Sequence, residues 1–128
     1  MGKIRNVLLR NIIARGVGAN LIHGHADSPL ENISFENIRL TIVSDPGSPL
    51  QKSGHAITIE NARNIRLKDV EIVYEDPASD EWQSGLFVQN VDGLTLDSIT
   101  AQEAPNNNHA PAVNFKNVER VDIRNCRF

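Results

Sequence analysis

The chain has 128 residues, 40% of them hydrophobic and 23% charged, with a net charge of -3, which suits one globular domain and is too polar for a membrane span. No apolar run approaches the roughly 20 residues a spanning helix needs, and an acidic balance disfavours nucleic acid or an anionic membrane as partner. Cys126 is the only cysteine, so neither a disulfide framework nor a cysteine zinc site is open to this chain. Met1 to Asn6 lacks the apolar stretch of a signal peptide.

A seven-residue phrase recurs along the chain: "NVLLRNI" from Asn6, "NISFENI" from Asn32, "NIRLKDV" from Asn64, "GLTLDSI" from Gly93 and "RVDIRNC" from Arg120. The starts lie 26, 32, 29 and 27 residues apart. A second phrase precedes the later copies: "NLIHG" ending at Gly24, "AITIEN" at Asn61, "LFVQN" at Asn90 and "AVNFKN" at Asn117. Both alternate apolar and polar residues with period two and favour Ile, Val, Leu and Phe, a strand signature. No stretch has the 3.6 period of an amphipathic helix.

Strands that repeat at this spacing without helices predict an all-β solenoid, a right-handed parallel β-helix of about five coils. Leucine-rich repeats are shorter with one strand each, and propeller blades are longer with antiparallel strands. The register predicts three core columns: Ile22, Ile59, Val88 and Phe115; Ile33, Ile65, Leu94 and Val121; and Phe35, Leu67, Leu96 and Ile123. It also predicts two polar columns, Asn61, Asn90 and Asn117, and Asn11, Asn37, Asp69, Ser98 and Asn125. Side-chain amides stacked from coil to coil can hydrogen-bond along the rod, and Asn tolerates the left-handed backbone of a corner. Residues 1–128 are expected to form one β-helix domain, a fragment or shortened form of a longer β-helix.

Three long connections, "SDPGSPLQKSG", "EDPASDEWQSG" and "QEAPNNNHAPA", occupy equivalent places and are expected to project from one edge. Trp82 lies in the second, beside Asp80 and Glu81. An exposed Trp flanked by acids suits a sugar-binding platform, and a Trp folded back over the core is the other reading. His23 and His25, at i and i+2 with Asp27 following, are too few to define a metal site. No metal or cofactor is expected. Glu60 and Glu71 face outward by alternation and read as surface charge.

The phrases "NVLLRNIIARGVGANLIHGHADSPLENISFENIRL" and "HAITIENARNIRLKDVEI" resemble the later coils of polygalacturonase-type glycoside hydrolases, family 28, of the pectin-lyase-like superfamily. Ile22-His23-Gly24, then "HADS" and Pro29-Leu30-Glu31-Asn32-Ile33, is similar to a segment that follows the catalytic coils in that family. The resemblance implies a pectic substrate, a secreted or periplasmic setting and an inverting hydrolysis. Such a mechanism requires two carboxyl groups about 6.5 to 9.5 Å apart. The family carries them in Asn-Thr-Asp and Asp-Asp motifs, with Gly-His-Gly and Arg-Ile-Lys completing the site. Asn-Thr-Asp and Asp-Asp are absent here, and "HGH" at His23 to His25 reverses the order of Gly-His-Gly. The positions equivalent to Asp-Asp are Val17-Gly18, Gly54-His55, Gln83-Ser84 and Ala110-Pro111, with no carboxylate among them.

No catalytic residue is therefore assigned, and the chain alone is expected to be inactive. The candidate substrate-binding residues are His23, His55, Asp80, Glu81 and Trp82, for a pectic oligosaccharide or polysaccharide. Two alternatives stand beside this one: a carbohydrate-binding module built on the Trp82 loop edge, and a self-assembling scaffold. The last rests on the end coils, which no amphipathic helix covers, so that a homo-oligomer through those ends is expected.

Overall fold

The computed structural model describes residues 4–16, 20–25, 27–44, 54–75, 82–101, 104–105 and 110–128. Among them there are six strands and no helix: β1 (Arg5–Gly16), β2 (Asn20–His23), β3 (Leu30–Ile42), β4 (Ile57–Tyr74), β5 (Leu86–Ala101) and β6 (Val113–Arg124). Every pairing between strands is parallel, in the order β1-β3-β4-β5-β6, with β2 beside β4. The molecule is a parallel β-solenoid, as the period-two repeats predict.

The long strands are not straight, because residues with positive φ break each of them at fixed places in the repeat. Asn61, Asn90 and Asn117 form one such column, with φ of 55°, 55° and 54°. Asn11, Asn37, Asp69, Ser98 and Asn125 form another, with φ between 52° and 60°. Both columns stand where the repeats put them. A third column was read only as the start of the repeated phrase: Asn6, Asn32, Asn64, Gly93 and Arg120 all have positive φ as well. The left-handed region clashes with Cβ and is visited routinely only by Gly and, through local hydrogen bonds, by Asn and Asp. That explains why this chain spends its asparagines at these corners, and it marks Arg120 as a strained exception.

The corners divide each turn into three walls. Wall one contains β2 and residues 57–60, 86–89 and 113–116; wall two, after the Asn6 column, contains 7–10, 33–36, 65–68, 94–97 and 121–124; wall three follows the Asn11 column. Wall two has five rungs, but only about three turns are complete, fewer than the five expected. The reason lies at the ends. The first rung has no wall-one strand before it in the described residues, and the last reaches wall three only through the isolated bridge of Thr100 with Arg127.

Amide ladders run up the corners. The Asn90 Nδ2 donates to Asn61 Oδ1 at 3.3 Å, and Asn117 Nδ2 to Asn90 Oδ1 at 2.8 Å. Asn32 donates to Asn6 at 2.8 Å and Asn37 to Asn11 at 2.9 Å. The first ladder ends on Gly24, whose carbonyl accepts from Asn61 Nδ2 at 3.0 Å and whose N–H donates to the Glu60 carbonyl at 2.9 Å. A Cβ at Gly24 would collide with the Asn61 carbonyl oxygen and the Leu30 nitrogen, so only glycine lets the two backbones approach this closely.

All three predicted core columns are in register. Burial is graded along the rod. Ile59, Ile65, Leu94 and Leu96 in the central turns are fully buried, whereas Val121 and Ile123, in the same columns at the last rung, are 40% and 45% exposed. Each fully buried side chain contributes about 1.5 to 3 kcal/mol, so stability is concentrated in the complete turns.

Candidate functional site

Alternation places two outward rows on wall one. Leu21, Thr58, Phe87 and Asn114 form the first, and His23, Glu60, Gln89 and Lys116 form the second, each residue stacked on its counterpart one turn away. Outward Phe is unusual, and this one is only 9% exposed because neighbouring side chains cover it. The His55 ring stacks on Phe87 with centroids 4.5 Å apart and planes 10° from parallel. Lys116 Nζ lies 5.6 Å from the Phe87 centroid, within cation-π range.

His55 is fixed in one tautomer. The Ser84 N–H donates to its Nδ1 at 3.2 Å, which places the ring proton on Nε2. Burial holds the His55 pKa below the ordinary value of 6.5 and the Lys116 charge pushes in the same direction, while the backbone hydrogen bond with Ser84 and the Glu60 charge oppose them. The fold therefore disfavours the protonated ring. Protonation at Nδ1 would also remove the acceptor that Ser84 uses.

The sign of the pH effect follows. An unfolded chain takes up a proton at His55 near pH 6.5, where the folded chain does not, so this group favours folding above that pH and the benefit is lost as the pH falls. Urea midpoints measured at pH 7, 6 and 5 are expected to fall with acidification, and less steeply in the His55→Gln variant. Parallel curves for the two proteins would remove this role for His55.

His23 stands three turns from Lys116 in the same row, and its Nε2 is 3.3 Å from Glu60 Oε2. Glu60, expected to be plain surface charge, is thus a paired member of the wall-one surface. His25 is not on the strand face with His23, since β2 ends at His23 and His25 forms a tight bridge with Ser28. Its Nδ1 accepts from the Asp27 N–H at 3.1 Å.

Of the two readings of Trp82, its surroundings match the one folded back over the core. Trp82 is 3% exposed and packs on Tyr74 with ring centroids 4.9 Å apart, so its ring closes the core between turns instead of offering a face to sugar. Burial pushes the Tyr74 pKa up to about 12, and its hydroxyl, like that of Ser84, has no hydrogen-bond partner among the described residues. Asp80 and Glu81 lie outside the described residues, as do most of the three long connections.

The structure thus brings His55 together with Phe87 and Lys116, and His23 with Glu60, and leaves Trp82 elsewhere. Glu60, Gln89 and Lys116 each precede an Asn of the first ladder, so aligning the repeats was enough to put them in one row. What alignment could not supply was the His55 ring lying on Phe87. In these strand rows Glu60 is the single carboxylate, whereas inverting hydrolysis requires two. No protein-family model matches the chain, and no curated protein matches it.

Proposed function

We propose that this solenoid binds a pectic, uronate-containing oligosaccharide or polysaccharide along the outer face of wall one without hydrolysing it. The observation that carries the reading is the half-exposed His55 ring, held flat by stacking on the covered Phe87 ring, with the Lys116 cation beside that pair. A uronate offers the matching chemistry, an apolar ring face and a carboxylate that a lysine holds as a point charge. Gln89 and the Nε2–H of His55 supply neutral donors, and the row of side chains repeats at the roughly 4.8 Å spacing of the strands. The resemblance to polygalacturonase-type coils favours the same ligand. The lone carboxylate Glu60, tied to His23, leaves no acid and base pair for cleavage.

Calorimetric titration of oligogalacturonides into the protein is expected to give heat that the Lys116→Glu variant loses, with affinity reduced at least about tenfold. No reducing ends are expected on prolonged incubation with polygalacturonate. Equal binding by Lys116→Glu, or no heat with the unaltered chain, would overturn the site; sustained release of reducing ends would overturn the non-hydrolytic reading. Trp82 fluorescence is a poor reporter here, because that ring is inside the core.

A further inference from the structure

Resting on the sugar-binding reading above, we infer that wall one selects a uronate whose neighbours toward β4 carry no charge, because Glu60 rejects a second carboxylate. The charges of the second outward row run in one direction. Lys116 on β6 is exposed and is the only lysine or arginine among the described residues of the two rows; Gln89 on β5 is neutral, and Glu60 on β4 is an acid. Lys116 and Glu60 stand two rungs apart, roughly 10 Å at the strand spacing.

A ligand whose carboxylate is held at Lys116 and which lies along the row meets Gln89 next and then Glu60. The His55 ring favours that direction, since it stacks on Phe87 of β5 and so offers its apolar contact on the β4 side of Lys116. One oxygen of Glu60 is open to the ligand. Its Oε2 is 3.3 Å from His23 Nε2, whereas Oε1 has no partner among the described residues. A sugar hydroxyl can donate to Oε1, but a carboxylate is acceptor-only and brings a like charge to an acid whose side chain is 28% exposed. The first contact attracts, and the second repels.

The neighbouring surface does not offset that repulsion. A groove of about 350 Å³ follows the Asn61, Asn90 and Asn117 corner beside this row, and it contains Arg63, Asp92 and Glu119. Arg63 lies 3.9 Å from Glu31, and Asp92 is 2.6 Å from Arg120, while Glu119 makes no ion pair among the described residues. The groove therefore adds an unpaired acid beside the row. The matching ligand is a chain of uncharged rings with one carboxylate, and the uncharged rings are either methyl-esterified uronates or neutral sugars.

Calorimetry on three oligosaccharides of equal length tests this selection: an oligogalacturonide with every carboxylate free, the same oligomer with all but one carboxylate methyl-esterified, and a neutral oligosaccharide bearing one uronate. At least one singly charged ligand is expected to bind about fivefold tighter than the free oligogalacturonide at about 50 mM salt, and the gap should narrow as salt is raised. Which of the two binds tighter identifies the uncharged rings. Glu60→Gln should tighten the free oligomer about fivefold and erase the preference, and Glu60→Lys should reverse it. Glu60 faces outward, and circular dichroism verifies that both variants keep their strands. A free oligomer that binds as tightly as the singly charged ones, or a preference that neither variant changes, would overturn the role of Glu60 and leave binding at Lys116 in place. Heat from none of the three would overturn the sugar-binding reading and this selection together.

Discussion

Replacing Ile65 by alanine is expected to lower the stability of the folded chain by about 3 to 4 kcal/mol, among the larger effects available to a single core substitution. Ile65 is fully buried, with Ile33 on one side of its column and Leu94 on the other, both buried as well. The shortened side chain leaves a cavity that the flanking turns cannot fill, because their backbones are held at the strand spacing by the ladder hydrogen bonds. Urea unfolding measures the loss. Val121→Ala changes the same column at the open rung and should cost less than about 1.5 kcal/mol, since its side chain is 40% exposed already. Equal losses at the two positions would mean that burial is not graded along the rod.

Asn90→Ala is the second large effect, expected at about 2 to 3 kcal/mol. Two contributions combine. The substitution removes the amide that donates to Asn61 and accepts from Asn117, two hydrogen bonds worth about 0.5 to 1 kcal/mol each at this exposure. It also places an alanine Cβ at φ of 55°, which costs about another 1 kcal/mol. Asn90→Gly separates the two, because glycine adopts this φ without strain and lacks the amide. The glycine variant should therefore be more stable than the alanine variant by about 1 kcal/mol. If alanine proved the more stable, the corner conformation would not be what selects asparagine there. Gly93, with φ of 88°, is the chain's own instance of glycine at such a corner.

The repeats made most of the fold legible. Period-two alternation predicts strands, recurrence predicts stacking, and alignment of the phrases recovers three core columns in the observed register, though not those of wall three, such as Ile38, Val70 and Ile99. The Asn6 column was harder to recognise as a corner, because its later members, Gly93 and Arg120, share no side-chain chemistry with Asn. They share a backbone conformation, which residue identity reveals only partly. The number of turns was overestimated for a related reason. Counting phrases counts rungs of wall two, whereas a turn needs all three walls.

The candidate site divides similarly. His55 is singled out by the resemblance, since Gly54-His55 stands where the related enzymes carry their Asp-Asp pair, whereas Lys116 follows from the alignment of the repeats alone. Trp82 could be read two ways, because the same residue in a long connection can turn outward or inward, and its packing on Tyr74 settles the matter. Tyr74 ends one strand, and Trp82 lies eight residues further along the chain, where periodicity no longer constrains the backbone.

The sequence by itself determined what depends on short range and repetition: strands, corners, stacking order and which side chains enter the core. Each follows from residues a fixed number of positions apart, since one coil imposes its spacing on the next. Tertiary structure alone decided the stacking of His55 on Phe87, the pairing of His23 with Glu60 and the inward turn of Trp82. Those depend on how side chains from different coils meet in space.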